Sequence, residues 1–228
     1  MASTYTDLGI ELMATGENAG TWGTKTNANL NLIEQLTGGF ATLSIAGGAG
    51  TQALDIDDGA LTGTAQQRII EFTGSITGNR IITIPNDVET FYILKNSTSG
   101  AYTVQFKYAT GSGSSTTFSA TDKGIKTVYA SANDGTNPDI VDVMANSSEI
   151  VLANNNPIKF NDADNSAFVG IDAPATVSGS YTLTLPAAVG SASQALVTTD
   201  GAGTLGFTST STFGITTGKA IAMAIVFG

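Results

Sequence analysis

Hydrophobic residues recur at helical spacing in one stretch of this chain and at strand spacing almost everywhere else. The helical stretch follows Trp22-Gly23-Thr24. Ala28, Leu32 and Gln35 lie along one side of it, and Leu30, Ile33 and Leu36–Thr37 along another. Thr24 or Thr26 can serve as N-cap, because a hydroxyl there accepts from an exposed amide of the first turn. Gly38-Gly39 supplies the stop. A helix of about three turns is marginal alone, so it must pack on something, and Trp22 at its start is the natural anchor. Before it, Leu8, Ile10 and Leu12 share one side of a short strand or extended arm. Residues 15–20 form a turn cluster rich in Gly and Asn.

After Phe40 the pattern is that of strands. Residues 41–65 read as a Gly/Ala-rich linker with one or two short strands around Leu43, Ile45, Leu54 and Ile56. Residues 66–146 read as a β domain. Its strands are 69–72, 80–84 (ended by Pro85), 91–94, 124–130 and 140–144. Between them Tyr102, Val104, Phe106 and Tyr108 alternate with polar residues in the strict period of two of a half-buried strand. Five or six antiparallel strands predict a small antiparallel β-sandwich or barrel. Residues 147–212 read as a second β unit, with strands at 150–152, 158–160, 168–171, 181–185, 195–199 and 205–208. The segments 77–85 and 178–186 echo each other as turn, strand and terminating Pro. Residues 213–228 end in a strand apolar on both faces, which must be covered by the chain itself or by another copy. The predicted class is mainly β with a short N-terminal helix.

Composition narrows the function classes. The net charge of −10, with nine scattered Lys and Arg, argues against nucleic acid, since a phosphate-binding surface needs clustered cations. No apolar run approaches the roughly 20 residues of a membrane span, and the N-terminus shows no secretory pattern. Without Cys or His, thiolate chemistry and the commonest general base and metal ligand are missing. Three motifs resemble sites and read better as turns. Asp55, Asp57 and Asp58 fail as a calcium loop because the twelfth position is Gln66, and the loop from Asp162 fails because its twelfth is Ala173. Gly201–Gly206 matches a G-x-G-x-x-G fingerprint, but the residues after it favour strand, not the helix a pyrophosphate needs. Glu71 and Glu89 are the candidate carboxylate pair for glycoside hydrolysis, with nothing in the sequence to fix their separation. The expectation is a protein without a catalytic site, cofactor or metal.

Two sets of motifs resemble a known group. Gly16–Gln35, with its Trp-Gly-Thr and Asn-Xaa-Asn-Leu core, resembles a segment near the start of structural proteins of tailed bacteriophages, especially marine ones. The runs beginning at Ala167, Tyr181 and Gln194 resemble segments of their tail-fibre proteins, and the region from Ile69 to Val104 is similar to β modules of the same group. The resemblance implies a virion component: a tail fibre, or a fibre-like appendage or adaptor, built as a homotrimer of fibre-type β units. A head-decoration fibre or a carbohydrate-binding host-attachment module is the alternative. Its partners would be further copies of itself, other virion proteins and, for the attachment alternative, a host surface glycan. Trp22, Asn27, Leu30, Ile33 and Leu36 are the expected docking residues.

Overall fold

A computed structural model describes residues 2–152 and 156–213. The expected strand at 213–228 falls outside the described residues but for its first position. The chain divides into two compact units, Met1–Ile150 and Val151–Gly228. It is mainly β, with one α-helix and a set of antiparallel and mixed sheets among the described residues. No closed barrel is found among them.

The first unit opens with a small antiparallel arm, β1 (Thr4–Tyr5) and β2 (Glu11–Leu12), and then α1 (Trp22–Gly38). Gly16, Asn18 and Gly20 take positive φ in the turn between arm and helix, where only glycine or asparagine is comfortable. The helix starts earlier than Thr24 or Thr26, with Thr21 at the N-cap. Thr21 makes no side-chain cap, because its hydroxyl donates backward to Asn18 O (3.3 Å). At the other end the Gly39 amide closes on Gln35 O at 2.8 Å. Gly39 itself is extended. It is glycine for space, since a Cβ there would collide with the Gln67 side chain and the Gln35 carbonyl.

Next, the chain alternates between two sheets: β3 (Phe40–Ser44), β4 (Gly50–Ala53), β5 (Ile69–Thr73), β6 (Arg80–Ile84), β7 (Thr90–Asn96) and β8 (Val104–Tyr108). Strands β3, β5 and β7 stack in parallel, with Phe40, Ile69 and Ile93 in register. Strands β4, β6 and β8 stack likewise, with Gly50, Arg80 and Val104 in register. The corners stack too, through parallel bridges Gly47–Ile76 and Ser75–Ser99. The result is a flattened coil of three turns. The stretch expected as a linker supplies its first turn. Antiparallel pairing, expected throughout, is confined in this unit to the arm and to the closing strands β9 (Thr116–Phe118), β10 (Ile125–Ala130) and β11 (Ile140–Asp142). The sheets run β11-β10-β7-β5-β3 and β4-β6-β8-β9.

The two sheets share one core. Ile70, Phe72, Tyr92, Leu94 and Val128 face Ile82, Ile84, Val104, Phe106 and Phe118. The Phe106 ring lies 5.5 Å from Tyr92, edge-on, and 6.5 Å from Phe72. The two buried phenols are satisfied: Tyr92 donates to Ala65 O (2.8 Å) and Tyr108 to Val88 O (2.7 Å). Burial raises both their pKa values, that of Tyr108 to about 12. Buried Asn96 braces the third corner. Its amide donates to Asp122 O and its carbonyl accepts from the Thr98 amide and hydroxyl.

The described residues of the second unit form two hairpins, β12 (Ile158–Asn161) with β13 (Phe168–Ile171) and β14 (Gln194–Thr198) with β15 (Leu205–Ser209). No strand forms at 150–152, and 181–185 has a single bridge, Thr184 to Thr204. The echo between 77–85 and 178–186 is therefore one of sequence alone.

Candidate functional site

The N-terminal element is fixed to its own unit by polar contacts that spacing alone does not reveal. Asn29 clamps the Glu11 backbone from both sides: its Oδ1 accepts from the Glu11 amide (2.9 Å) and its Nδ2 donates to the Glu11 carbonyl (2.8 Å). The Glu11 carboxylate is buried and ion-paired with Lys25 at 3.0 Å. Lys25, first among its neighbours, holds the Glu11 pKa below its ordinary value, and Glu11 raises that of Lys25. Further along, Gln35 donates to Leu61 O (3.3 Å). Leu32 and Leu36 are the buried residues of the helix.

The five expected docking residues therefore divide. Leu36 sits one turn after Leu32, on the face the protein covers. Trp22, Leu30 and Ile33 point outward, with 63%, 58% and 45% of their surface exposed. Phe40, just past the helix, is exposed as well. Asn27 is exposed, and the neighbouring Asn29 makes the structural bonds. A helix attached by one face and apolar on another has a free surface for a partner. The recurrence of Leu30, Ile33 and Leu36 every third residue predicts one shared stripe. That row drifts around a helix of 3.6 residues per turn, so its last member reaches the covered side.

The second unit presents a larger apolar surface. No described residue after Ile150 is buried. Both strands of the first hairpin expose every side chain, with Ile158 at 50%, Phe160 at 57%, Phe168 at 55% and Val169 at 72% exposed. Lys159 covers part of one ring, its Nζ lying 4.3 Å from the centre of Phe168.

The acidic motifs are structural. Asp55 ties the ends of its loop by accepting from the Thr64 amide and hydroxyl, and these bonds lower its pKa. Asp162 accepts from Ser166 in the β12–β13 turn. Gly201–Gly206 spans the β14–β15 hairpin, where Asp200 accepts from the amides of Ala202 and Thr204. Glu71 stands opposite Lys95 in the sheet and is ion-paired with it at 2.8 Å. Lys95 lies six positions along the chain from Glu89, about 20 Å at ~3.3 Å per residue. Paired glycosidase carboxylates stand about 5–9.5 Å apart, so Glu71 and Glu89 do not form such a pair. No group of acidic residues suited to a metal occurs among the described residues, and no described helix is long and apolar enough to cross a membrane. Comparison of the chain with protein-family models, curated proteins and solved structures finds no match.

Proposed function

We propose that this protein is a structural component of a tailed-phage virion, a fibre or fibre-like appendage that self-associates through its second unit and docks through its N-terminal helix. The observation that carries the reading is the second unit itself. Its β12–β13 hairpin displays aromatic and β-branched residues on both faces, β14–β15 half-covers one face, and neither buries a residue. An isolated two-stranded hairpin is marginal in water, and stability requires more strands or a packed face. Further copies of the same chain supply such a face by symmetry, and a homotrimer is the arrangement that the resemblance to fibre proteins implies.

The N-terminal element supports the docking half of the proposal. Its buried face and the Glu11–Asn29 clamp hold the helix on the first unit, which leaves Trp22, Leu30 and Ile33 for another virion protein. The coiled first unit, with its satisfied core, acts as a rigid spacer and not as a site of chemistry. Particle assembly with Trp22→Ala tests the docking role. Incorporation should fall while the isolated protein keeps its thermal stability; normal incorporation would refute it.

A further inference from the structure

We propose that the cleft at the C-terminal end of α1 receives an arginine side chain from the protein on which the helix docks. The inference rests on the docking reading for the source of that arginine and adds the chemistry of recognition. The cleft has a volume of about 540 Å³. Its walls are the last turn of α1, Phe40 at the start of β3, and Leu61 and Gln67 from the segment between β4 and β5.

A helix leaves its last carbonyls without intrahelical partners and carries partial negative charge at that end, so cations are favoured there. The last turn of α1 has no basic residue. The Gly39 amide satisfies Gln35 O, and among the described residues no backbone amide donates to Thr37 O or Gly38 O, both at the cleft. The nearby donors are already used. Gln35 Nε2 donates to Leu61 O (3.3 Å), and the Thr37 hydroxyl donates back into the helix at Ile33 O (2.8 Å). What remains is the Glu34 carboxylate, two carbonyls, and the neutral amides of Asn31 and Gln67. Glu34 is exposed and enters no ion pair among the described residues.

Acceptors in excess, with no cation in the lining, select a ligand that is positively charged and donates only. An anion is repelled by Glu34 and by the helix end. Phe40, with 56% of its surface exposed, adds an aromatic wall beside these acceptors. A guanidinium suits both, since it is planar, carries five N–H donors and stacks on an aromatic face, whereas an ammonium is compact and strongly hydrated. A metal ion fits worse, because calcium takes six to eight oxygens and a single carboxylate faces this cleft. Glu34 follows Ile33 of the outward stripe directly, so one partner surface can cover the stripe and fill the cleft.

The test is saturation-transfer NMR of the full chain in about 0.15 M salt, where long-range attraction to a chain of net charge −10 is screened. The probes are N-acetyl-arginine methylamide, its lysine counterpart, and its citrulline counterpart, which has nearly the same shape and no charge. Transfer to the arginine side-chain methylenes is expected, with the citrulline probe binding about tenfold more weakly. Glu34→Gln and Phe40→Ala change exposed residues and should each weaken arginine binding by a similar factor. Glu89→Gln, which removes a carboxylate outside the cleft, should leave it unchanged. Absence of transfer overturns the proposal, as does citrulline or lysine binding as tight as arginine binding, or arginine binding that survives both Glu34→Gln and Phe40→Ala. Particle assembly with Glu34→Lys separates the cleft from the docking reading, and incorporation should fall. A Trp22→Ala assembly defect without arginine binding would overturn the cleft alone. Arginine binding with normal incorporation of both Glu34→Lys and Trp22→Ala would overturn the docking partner as the source of the arginine.

Discussion

The two units put similar residues to opposite uses. In Met1–Ile150 the aromatic and β-branched side chains of two stacked sheets point at each other, and Tyr92, Phe72, Phe106 and Phe118 are sealed from solvent. In the described part of Val151–Gly228 the same kinds of residue sit on hairpins and none is buried; β12–β13 is exposed on both faces and β14–β15 half-covers one. The first unit closes its core within one chain because its coil returns each strand beside the one before. Among its described residues the second unit has hairpins, each pairing only neighbouring segments of the chain. The difference teaches that strand-forming sequence does not by itself make a domain; a sheet also needs a facing surface.

The largest effect that would break this comparison is a cavity in the first unit. Phe106→Ala removes the ring that touches both Tyr92 and Phe72, and should cost about 3–5 kcal/mol, read as a lower midpoint in urea. The matching change in the second unit, Phe160→Ala, removes a ring that is more than half exposed. It should barely alter the stability of the first unit and should instead weaken self-association. Equal losses of first-unit stability in the two variants would erase the distinction. Asn96→Ala comes next. It leaves the Thr98 amide without its buried acceptor and should cost about 1–3 kcal/mol, again confined to the first unit.

A smaller effect is the pH dependence of the first unit. Glu11, Asp55 and Glu71 all have pKa values below their ordinary values of 4.5, 3.8 and 4.5. Lys25, Thr64 and Lys95 respectively are the first causes. A carboxylate depressed in the folded state contributes stability that is fully present above its unfolded pKa and is lost as pH falls through the folded one. Thermal unfolding followed between pH 6 and pH 3 should therefore show the first unit weakening only below about pH 4.5. Glu71→Gln should flatten that decline, because it removes one of the linked groups. An unchanged midpoint down to pH 3 would contradict the assignment.

Part of this organisation is legible in the residues. The helix is announced by its spacing and by Gly38-Gly39, and the hairpin turns by Asn161–Asn165 and Asp200-Gly201. The parallel coil is not, because Tyr102, Val104, Phe106 and Tyr108 alternate in the same way whichever direction the neighbouring strand runs. The signal that distinguishes the two is the recurrence of Gly-rich corners, Gly47, Gly74 and Gly100, each with positive φ and each preceded by a strand of the five-stranded sheet. The structure leaves Trp22, Leu30 and Ile33 of the apolar stripe exposed and covers Leu36, whose side is decided by packing. The Glu11–Asn29 clamp is invisible to periodicity, since it joins a strand end to a mid-helix amide across a turn cluster.

The central claim is that the second unit needs other copies of the chain. Sedimentation equilibrium of the purified full chain at micromolar concentration tests it directly. The account predicts a species of three times the 23.1 kDa chain mass, and a stable monomer would contradict it.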